Sequence, residues 1–91
     1  MNFEWDETKR LTNIKQHGID FEEVENVFGD ITVTILDDRF NYDELRWLTF
    51  GLLHGAVVVI AHTETDEVLR VISARKASKN EEETYFKEIK N

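Results

Sequence analysis

A basic segment near the end of the chain offers side chains that could bind an anion. Of the eleven lysines and arginines, four lie within residues 68–80, namely Arg70, Arg75, Lys76 and Lys79, and all nineteen acidic residues lie outside that segment. A chain of formal charge −8 that keeps one segment free of acids is expected to use it on an anion, and the commonest polymeric anion is a nucleic-acid backbone. The alternative is that these side chains finish a strand and pair with the acidic residues that follow.

His62 and the strand arginines are the candidate catalytic groups for RNA cleavage. The histidine ends the apolar run 57–61, and imidazole can act as general acid or base when a ribose 2′-hydroxyl attacks the neighbouring phosphate. Arg75 or Arg70 would stabilise the charge that builds on the phosphorane oxygens through the planar guanidinium group. The alternative for His62 is a hydrogen bond at the edge of a sheet.

Strand parity limits how the two arginines can cooperate. Arg70 and Arg75 are five positions apart, so in a regular strand they point to opposite faces. Both can serve one site only if a bulge or the end of the strand intervenes. We favour Arg75, because it lies where the strand gives way to a loop.

The first helix carries a polar stripe that could contact phosphate. Lys9, Asn13 and His17 recur every four residues, so they share one side of a helix within an arc of about 80°. A cation, an amide and an imidazole together can bind and protonate a phosphate. The alternative is an ordinary solvated helix face.

Arg46, Lys76 and Tyr85 complete the candidate set. Arg46 stands beside Trp47, and the pair could stack on and bind a nucleotide, although one of the two side chains is expected to face inward. Lys76 extends the basic strand end as an RNA contact. Tyr85 could stack on a base, or it could belong to the core with its hydroxyl at the surface.

Neither a metal nor a cofactor is expected. The chain has no cysteine, and its histidines, His17, His54 and His62, form no close pair with metal-ligand spacing. The signatures of serine nucleophiles and phosphate-binding loops are absent as well.

Helix signals flank the central part of the sequence. Asp6 predicts the start of a helix that runs to about His17 and ends at Gly18, and Asp20 with Glu23 predicts a second start. A closing helix capped by Asn80 is expected to dock on the sheet, because its apolar residues recur at helical spacing. These apolar residues are Tyr85, Phe86 and Ile89.

Four β-branched runs lie between the helices and predict strands at 31–36, 45–52, 56–63 and 68–74. The connections at His54-Gly55 and Thr65-Asp66 are short enough for hairpins. The expected fold is therefore α+β, with two N-terminal helices, a four-stranded antiparallel sheet and a C-terminal helix. With 91 residues and no linker composition, we expect one domain over residues 1–91.

No segment suggests a membrane or an exported protein. No apolar run approaches the roughly 20 residues of a membrane helix, and the first residues, Met1-Asn2-Phe3-Glu4-Trp5, lack the basic and apolar regions of a signal peptide. A cytoplasmic location is expected.

Several motifs, in this order and spacing, resemble the BrnT toxin family over nearly the whole chain. They are Phe3-Glu4-Trp5-Asp6-Glu7-Thr8-Lys9, Asn13, His17-Gly18-Ile19-Asp20-Phe21-Glu22-Glu23, Glu44-x-Arg46, Gly51, His62-Thr63, Arg70-Val71-Ile72-Ser73-Ala74-Arg75-Lys76-Ala77 and Tyr85.

The resemblance implies a RelE-like fold and the toxin of a type II toxin–antitoxin system. It implies a metal-independent ribonuclease that inhibits translation by cutting RNA. It also implies a BrnA-like antitoxin that neutralises the toxin and represses their shared operon, so that operator DNA is reached only through the antitoxin. A heterotetramer of toxin and antitoxin is plausible by the same resemblance.

Two rival functions remain open at this point. The first is a non-catalytic or attenuated homologue that acts as a protein-binding module in an antitoxin–DNA autoregulatory complex. The second is a small structural or ligand-binding domain with an incidental basic edge. The presence of Arg46, His62, Arg70 and Arg75 together favours the enzyme.

Overall fold

Three α-helices and five strands make up the described part of the chain. The computed structural model describes residues 1–39 and 43–90. Its elements are β1 (Asn2–Glu4), α1 (Glu7–His17), a 3-10 turn (Phe21–Glu23), α2 (Val24–Phe28), β2 (Val33–Leu36), β3 (Trp47–Leu53), β4 (Ala56–Glu64), β5 (Val68–Lys76) and α3 (Lys79–Lys90). The predicted α+β class is confirmed.

The signals that delimit α1 are confirmed. The Asp6 carboxylate accepts a hydrogen bond from the Lys9 amide at 3.1 Å, which satisfies one of the free donors of the first turn. Gly18 has a φ of 71°, a left-handed conformation that glycine adopts without a Cβ clash. Its N–H donates to the Ile14 carbonyl at 2.8 Å.

The second predicted helix is shorter and partly of another kind. Asp20 accepts from the Glu22 amide and begins a 3-10 turn, which α2 continues for five residues. Glu23 does not complete a capping box in this structure, since its carboxylate lies 3.1 Å from Nε2 of His54. The buried side chains of this segment, Val24 and Val27, nevertheless form the apolar face that the spacing predicts.

The sheet has five strands in the order β1-β5-β4-β3-β2, and β1 runs parallel to β5. The prediction of four antiparallel strands was therefore wrong in one respect. A strand of three residues is too short to show a period of two, and its partner lies at the far end of the chain.

The His54-Gly55 hairpin is confirmed, with φ of 51° and 80°, as a two-residue turn of this kind requires.

A bulge interrupts the pairing of β4 with β5. Ala61 pairs with Ser73 and His62 pairs with Val71, so Ile72 is the extra residue on β5. An extra residue reverses the alternation of side chains beyond it. Arg70 therefore lies on the same face as Arg75, which meets the condition that strand parity set.

The two faces of the sheet pack against different helices. The face that contacts α1, the 3-10 turn and α2, here called the α2 face, buries Val58, Ile60 and Ala74. The opposite face, here called the α3 face, packs Phe50 and Val59 against Tyr85 of α3.

The start of α3 differs from the prediction, because Ser78 and not Asn80 caps the helix. The Ser78 hydroxyl accepts from the Glu81 amide at 3.2 Å, and the Glu81 carboxylate accepts from the Ser78 amide at 2.8 Å. This reciprocal pair is a capping box. Asn80 lies inside the first turn, where its carbonyl accepts from the Thr84 hydroxyl.

None of the helices in the described ranges has the length and apolarity to cross a membrane.

Candidate functional site

Two arginines of β5 and one that immediately precedes β3 lie on the α3 face. Arg75 pairs with Val59 and Arg70 pairs with Thr63 across β4 and β5. Arg46 immediately precedes Trp47, whose partner His62 belongs to the α2 face, so alternation places Arg46 on the α3 face. We call the area formed by Arg46, Arg70 and Arg75 the arginine face.

Arg75 is held by a carboxylate from the first turn of α3. Its two terminal nitrogens donate to the two oxygens of Glu81 at 2.7 and 2.9 Å. This two-point hydrogen bond raises the pKa of Arg75 and lowers the pKa of Glu81 to about 2. Because 32% of the Arg75 side chain remains exposed, the guanidinium group is both oriented and accessible.

Arg70 and Arg39 also have carboxylate partners. Arg70 donates to Glu4 of β1 at 3.3 Å, and both side chains are about half exposed. Arg39 donates to both oxygens of the buried Asp37 at 2.8 and 3.0 Å. Its charge opposes the rise in the pKa of Arg75, and Arg39 lines the same cavity as Glu81, the partner of Arg75. Sequence reasoning missed Arg39, since a lone arginine after two aspartates reads as part of a solvated loop.

His62 lies on the α2 face and is buried. Only 1% of its surface is exposed, and its Nε2 lies 2.7 Å from the hydroxyl oxygen of Thr49, which in turn lies 2.7 Å from that of Thr34. Burial lowers the pKa of His62 to about 4, so the imidazole is neutral at neutral pH. The structure places it on the opposite side of the sheet from Arg70 and Arg75.

Asn13 of the polar stripe closes the outer edge of β5. Its side-chain amide donates to the carbonyls of Ile19 and Ala74, both at 2.9 Å, and its oxygen accepts from the Ala74 amide at 3.1 Å. Lys9 and His17 on either side are exposed and line a shallow depression with Ser73. The stripe thus combines a structural amide with two accessible basic groups.

Lys76 and Tyr85 occupy different environments. Lys76 is exposed, and its pairing with Val58 directs it away from Arg75. Tyr85 is only 1% exposed, and its hydroxyl donates to the Ile31 carbonyl at 2.7 Å. Burial raises the pKa of Tyr85. The ring is part of the core and has no accessible face on which a base could stack.

A comparison with protein families decides how this arrangement is interpreted. Residues 5–81 match the family described as the ribonuclease toxin BrnT of a type II toxin–antitoxin system. The chain belongs to the BrnT toxin family. The resemblance seen in the sequence is confirmed, and the matched range of this BrnT chain includes Arg46, Arg70, Arg75 and Glu81. A search of curated proteins found no match.

The family is described as a ribonuclease toxin of a type II toxin–antitoxin system, so membership implies an antitoxin as the partner of this chain. Of the predicted catalytic residues, Arg46, Arg70 and Arg75 lie on one face of the sheet, and His62 lies on the other. Arginine stays protonated at neutral pH and binds phosphate through paired N–H donors. The arginine face can therefore bind phosphate and stabilise developing negative charge, whereas it supplies no group for proton transfer. Within residues 1–39 and 43–90 no three side chains with metal-binding atoms cluster closely enough to hold a metal ion.

Proposed function

We propose that this BrnT chain is a metal-independent endoribonuclease that inhibits translation in the cytoplasm by cleaving RNA and is neutralised by a BrnA-like antitoxin. The observation that carries the proposal is the bulge at Ile72, because it puts Arg70 on the same face as Arg75. Two partly exposed arginines on one sheet face suit a polymer with one charge per nucleotide. The RelE-like character of the fold is part of the same proposal.

In this mechanism Arg75 acts at the scissile phosphate. The ribose 2′-hydroxyl attacks the adjacent phosphorus and loses its proton, and the 5′-oxygen of the next nucleotide leaves and takes up a proton. Arg75 stabilises the extra negative charge on the phosphorane oxygens, the kind of contribution that is usually the largest in such reactions. We assign the proton transfers to water, since the described part of the arginine face contains no imidazole.

Arg70 and Arg46 position the strand. The β4 partners of Arg70 and Arg75 are Thr63 and Val59, which lie four strand positions apart, or about 13 Å. Arg70 therefore binds a different phosphate from Arg75, and Arg46, which immediately precedes β3, assists it. Lys9 and His17 continue the contact around the edge of β5, next to Ser73. Lys76 stays a predicted RNA contact, because its side chain is exposed, whereas the ring of Tyr85 is buried in the core and is not proposed as a contact.

The test is cleavage of total RNA by the purified protein in excess chelator, beside an identically prepared Arg75→Ala variant. We expect cleavage by the parent and not by the variant. Cleavage by both would indicate a contaminating nuclease or a site elsewhere. Cleavage by neither would reject the free enzyme, and loss of the parent's activity in chelator alone would reject metal independence.

The second candidate is a module that acts only within an antitoxin–DNA complex. The observation that favours it is the carboxylate partner held by each of Arg39, Arg70 and Arg75, which reduces the attraction of phosphate. Such a module would leave RNA intact, yet its complex with the antitoxin would bind operator DNA. The mass of that complex, measured by light scattering, would test the proposed heterotetramer.

A further inference from the structure

A groove separates α3 from the outer strands on the α3 face. It has a volume of about 650 Å³. Its floor is apolar and consists of Val33 and Ile35 of β2 with Leu48 and Phe50 of β3, while Glu88 lies on the α3 wall. We call it the β2–α3 groove. A groove of this kind can accept alternate side chains from an extended segment.

The outer edge of β2 lies open beside this groove, since none of the described residues pairs with it. The Asp37 amide donates to the Arg46 carbonyl, so in an antiparallel ladder the backbone groups of Thr34 and Leu36 point outward. Ile35 and Leu36 are 47% and 44% exposed. The strand contains no charge or proline, which are the usual means of protecting an edge.

The other edge of the sheet is partly occupied within the described residues. There the Asn13 side chain satisfies both backbone groups of Ala74, and the short β1 pairs with residues 68–70 of β5. Among the described residues, the β2 edge is the one whose outward backbone donors and acceptors lie beside the apolar β2–α3 groove. This difference marks β2 as the side on which a further strand can add.

Charge indicates which kind of strand fits. Asp37 and Glu81 line the groove but are engaged by arginines, whereas Asp38 and Glu88 form no ion pair with any described residue. In a chain of charge −8, the carboxylates of Asp38 and Glu88 repel RNA and a second copy of the same chain. They attract a segment that carries lysines or arginines.

We infer that the β2–α3 groove and the open edge of β2 bind a basic, extended segment of the antitoxin, which adds to the sheet as a sixth strand. The inference rests on the proposed function for its partner. Backbone hydrogen bonds to Thr34 and Leu36 supply affinity, and apolar side chains in the groove supply specificity. Because Arg39 and Glu81 line the same groove, a segment bound there lies beside Arg75.

Hydrogen exchange on the unaltered toxin tests this directly. The probe is the antitoxin encoded beside the toxin gene, purified and added in excess. We expect the amides of Thr34 and Leu36 to exchange at least tenfold more slowly in the complex than in the free toxin. A tight complex in which both amides exchange as in the free toxin would overturn the inference, as would slowing by a single-stranded RNA or by raising the toxin concentration alone.

Two variants give an independent readout. Ile35→Lys puts a like charge against a basic segment, and Leu36→Pro removes one outward amide, so each should weaken antitoxin binding at least tenfold in titration calorimetry. Leu11→Lys makes the same change at a 57% exposed position on α1 and should leave affinity unchanged. Equal affinity for all three would overturn the inference.

RNA cleavage by the free variants should equal that of the parent. If the unaltered toxin bound no antitoxin, the proposed partnership itself would fail.

Discussion

In the proposed mechanism, Glu81 competes with the RNA phosphate for Arg75. The Glu81 carboxylate accepts two hydrogen bonds from the Arg75 guanidinium group. An RNA phosphate that binds Arg75 must share these donors with Glu81 or displace its carboxylate. We predict that Glu81→Gln binds single-stranded RNA about three- to tenfold more tightly, because one like charge and one ionic partner are removed. Filter binding at low salt measures the change.

The matched control is Glu82→Gln, which removes the same charge from an exposed neighbour on α3. If both variants gained affinity equally, the gain would come from net charge and the competition would be rejected. A Glu81 variant with the affinity of the parent would also contradict it.

Because His62 is buried, we predict that the free energy of unfolding falls in mild acid. Burial lowers its pKa from 6.5 to about 4 in the folded state, so between these values the unfolded chain binds the proton and the folded chain does not. The free energy of unfolding should be unaffected by this group above pH 6.5. Below that it should fall by about 1.4 kcal/mol per pH unit, to a total of about 3 kcal/mol near pH 4. Glu81, with its lowered pKa, contributes only below about pH 4.5.

Urea unfolding of the parent and of His62→Gln at pH 7.5, 6.5, 5.5 and 4.5 separates these groups. The side-chain amide that His62→Gln introduces can still form a hydrogen bond with Thr49 but does not titrate. The free energy of unfolding of the variant should therefore lose the fall with pH that His62 causes between pH 6.5 and 4.5. An equal slope in both proteins would assign the acid sensitivity to other groups. RNA cleavage by His62→Gln at neutral pH that equals the parent's would support the structural role of the imidazole.

Residue type alone could not show which polar side chains are buried. His62 follows the apolar part of β4, a strand whose two faces are both covered, so its position along the strand did not predict its burial. The placement of Arg70 on the same face as Arg75 depended on a bulge, and nothing in the sequence around Ile72 marks one. Arg70 and Arg75 were predictable as candidate site residues, because a basic segment without acidic residues is unexpected in an acidic chain and indicates an anion-binding role.

Gly51 allows α2 to approach the sheet. A Cβ at this position would lie 2.6 Å from Cγ1 of Val27 and 3.3 Å from Cγ2 of Thr32, and both neighbours are branched and have little freedom to move. We predict that Gly51→Ala lowers the free energy of unfolding by about 1–3 kcal/mol through overpacking, as measured by urea unfolding.

Gly29→Ala serves as the control for Gly51. There a Cβ would meet only carbonyl oxygens at 3.5 and 3.8 Å, which is ordinary contact, so its stability should stay within about 0.5 kcal/mol of the parent's. A Gly51 variant as stable as the parent would show that α2 can move away from β3 without cost.

Elements with strong local signals were predicted well, and those defined by distant pairing were not. Asp6 and Gly18 determine α1 through hydrogen bonds to their own neighbours, which sequence spacing reveals. Strand β1 forms only because β5 lies beside it. The cap of α3 shifted to Ser78 because the capping box needs Glu81 three residues later, a pattern present in the sequence that the choice of Asn80 overlooked.

The charge of the whole molecule limits how RNA is bound. Its formal charge is −8, so the molecule as a whole does not attract RNA over a long range, and the proposed binding depends on local basic side chains, above all the arginines of one face. We predict a shallow salt dependence for single-stranded RNA. With three phosphate contacts, the plot of log affinity against log salt should have a slope of about −2.

Fluorescence anisotropy from 25 to 200 mM salt measures this slope, and Arg75→Ala should reduce its magnitude by about 0.7. A slope near −6 would require many more phosphate contacts than the arginine face provides. An unchanged slope in the variant would show that Arg75 does not contact phosphate.

The single-turnover rate of cleavage of a defined single-stranded RNA in excess chelator tests the central claim most directly. The parent, Arg75→Ala and Lys15→Ala are compared, because Lys15 is an exposed residue of α1 whose loss changes the net charge equally. We predict that Arg75→Ala cleaves at least about 100-fold more slowly, while Lys15→Ala stays within twofold of the parent. Equal rates for the parent and Arg75→Ala would contradict the assignment of catalysis to the arginine face.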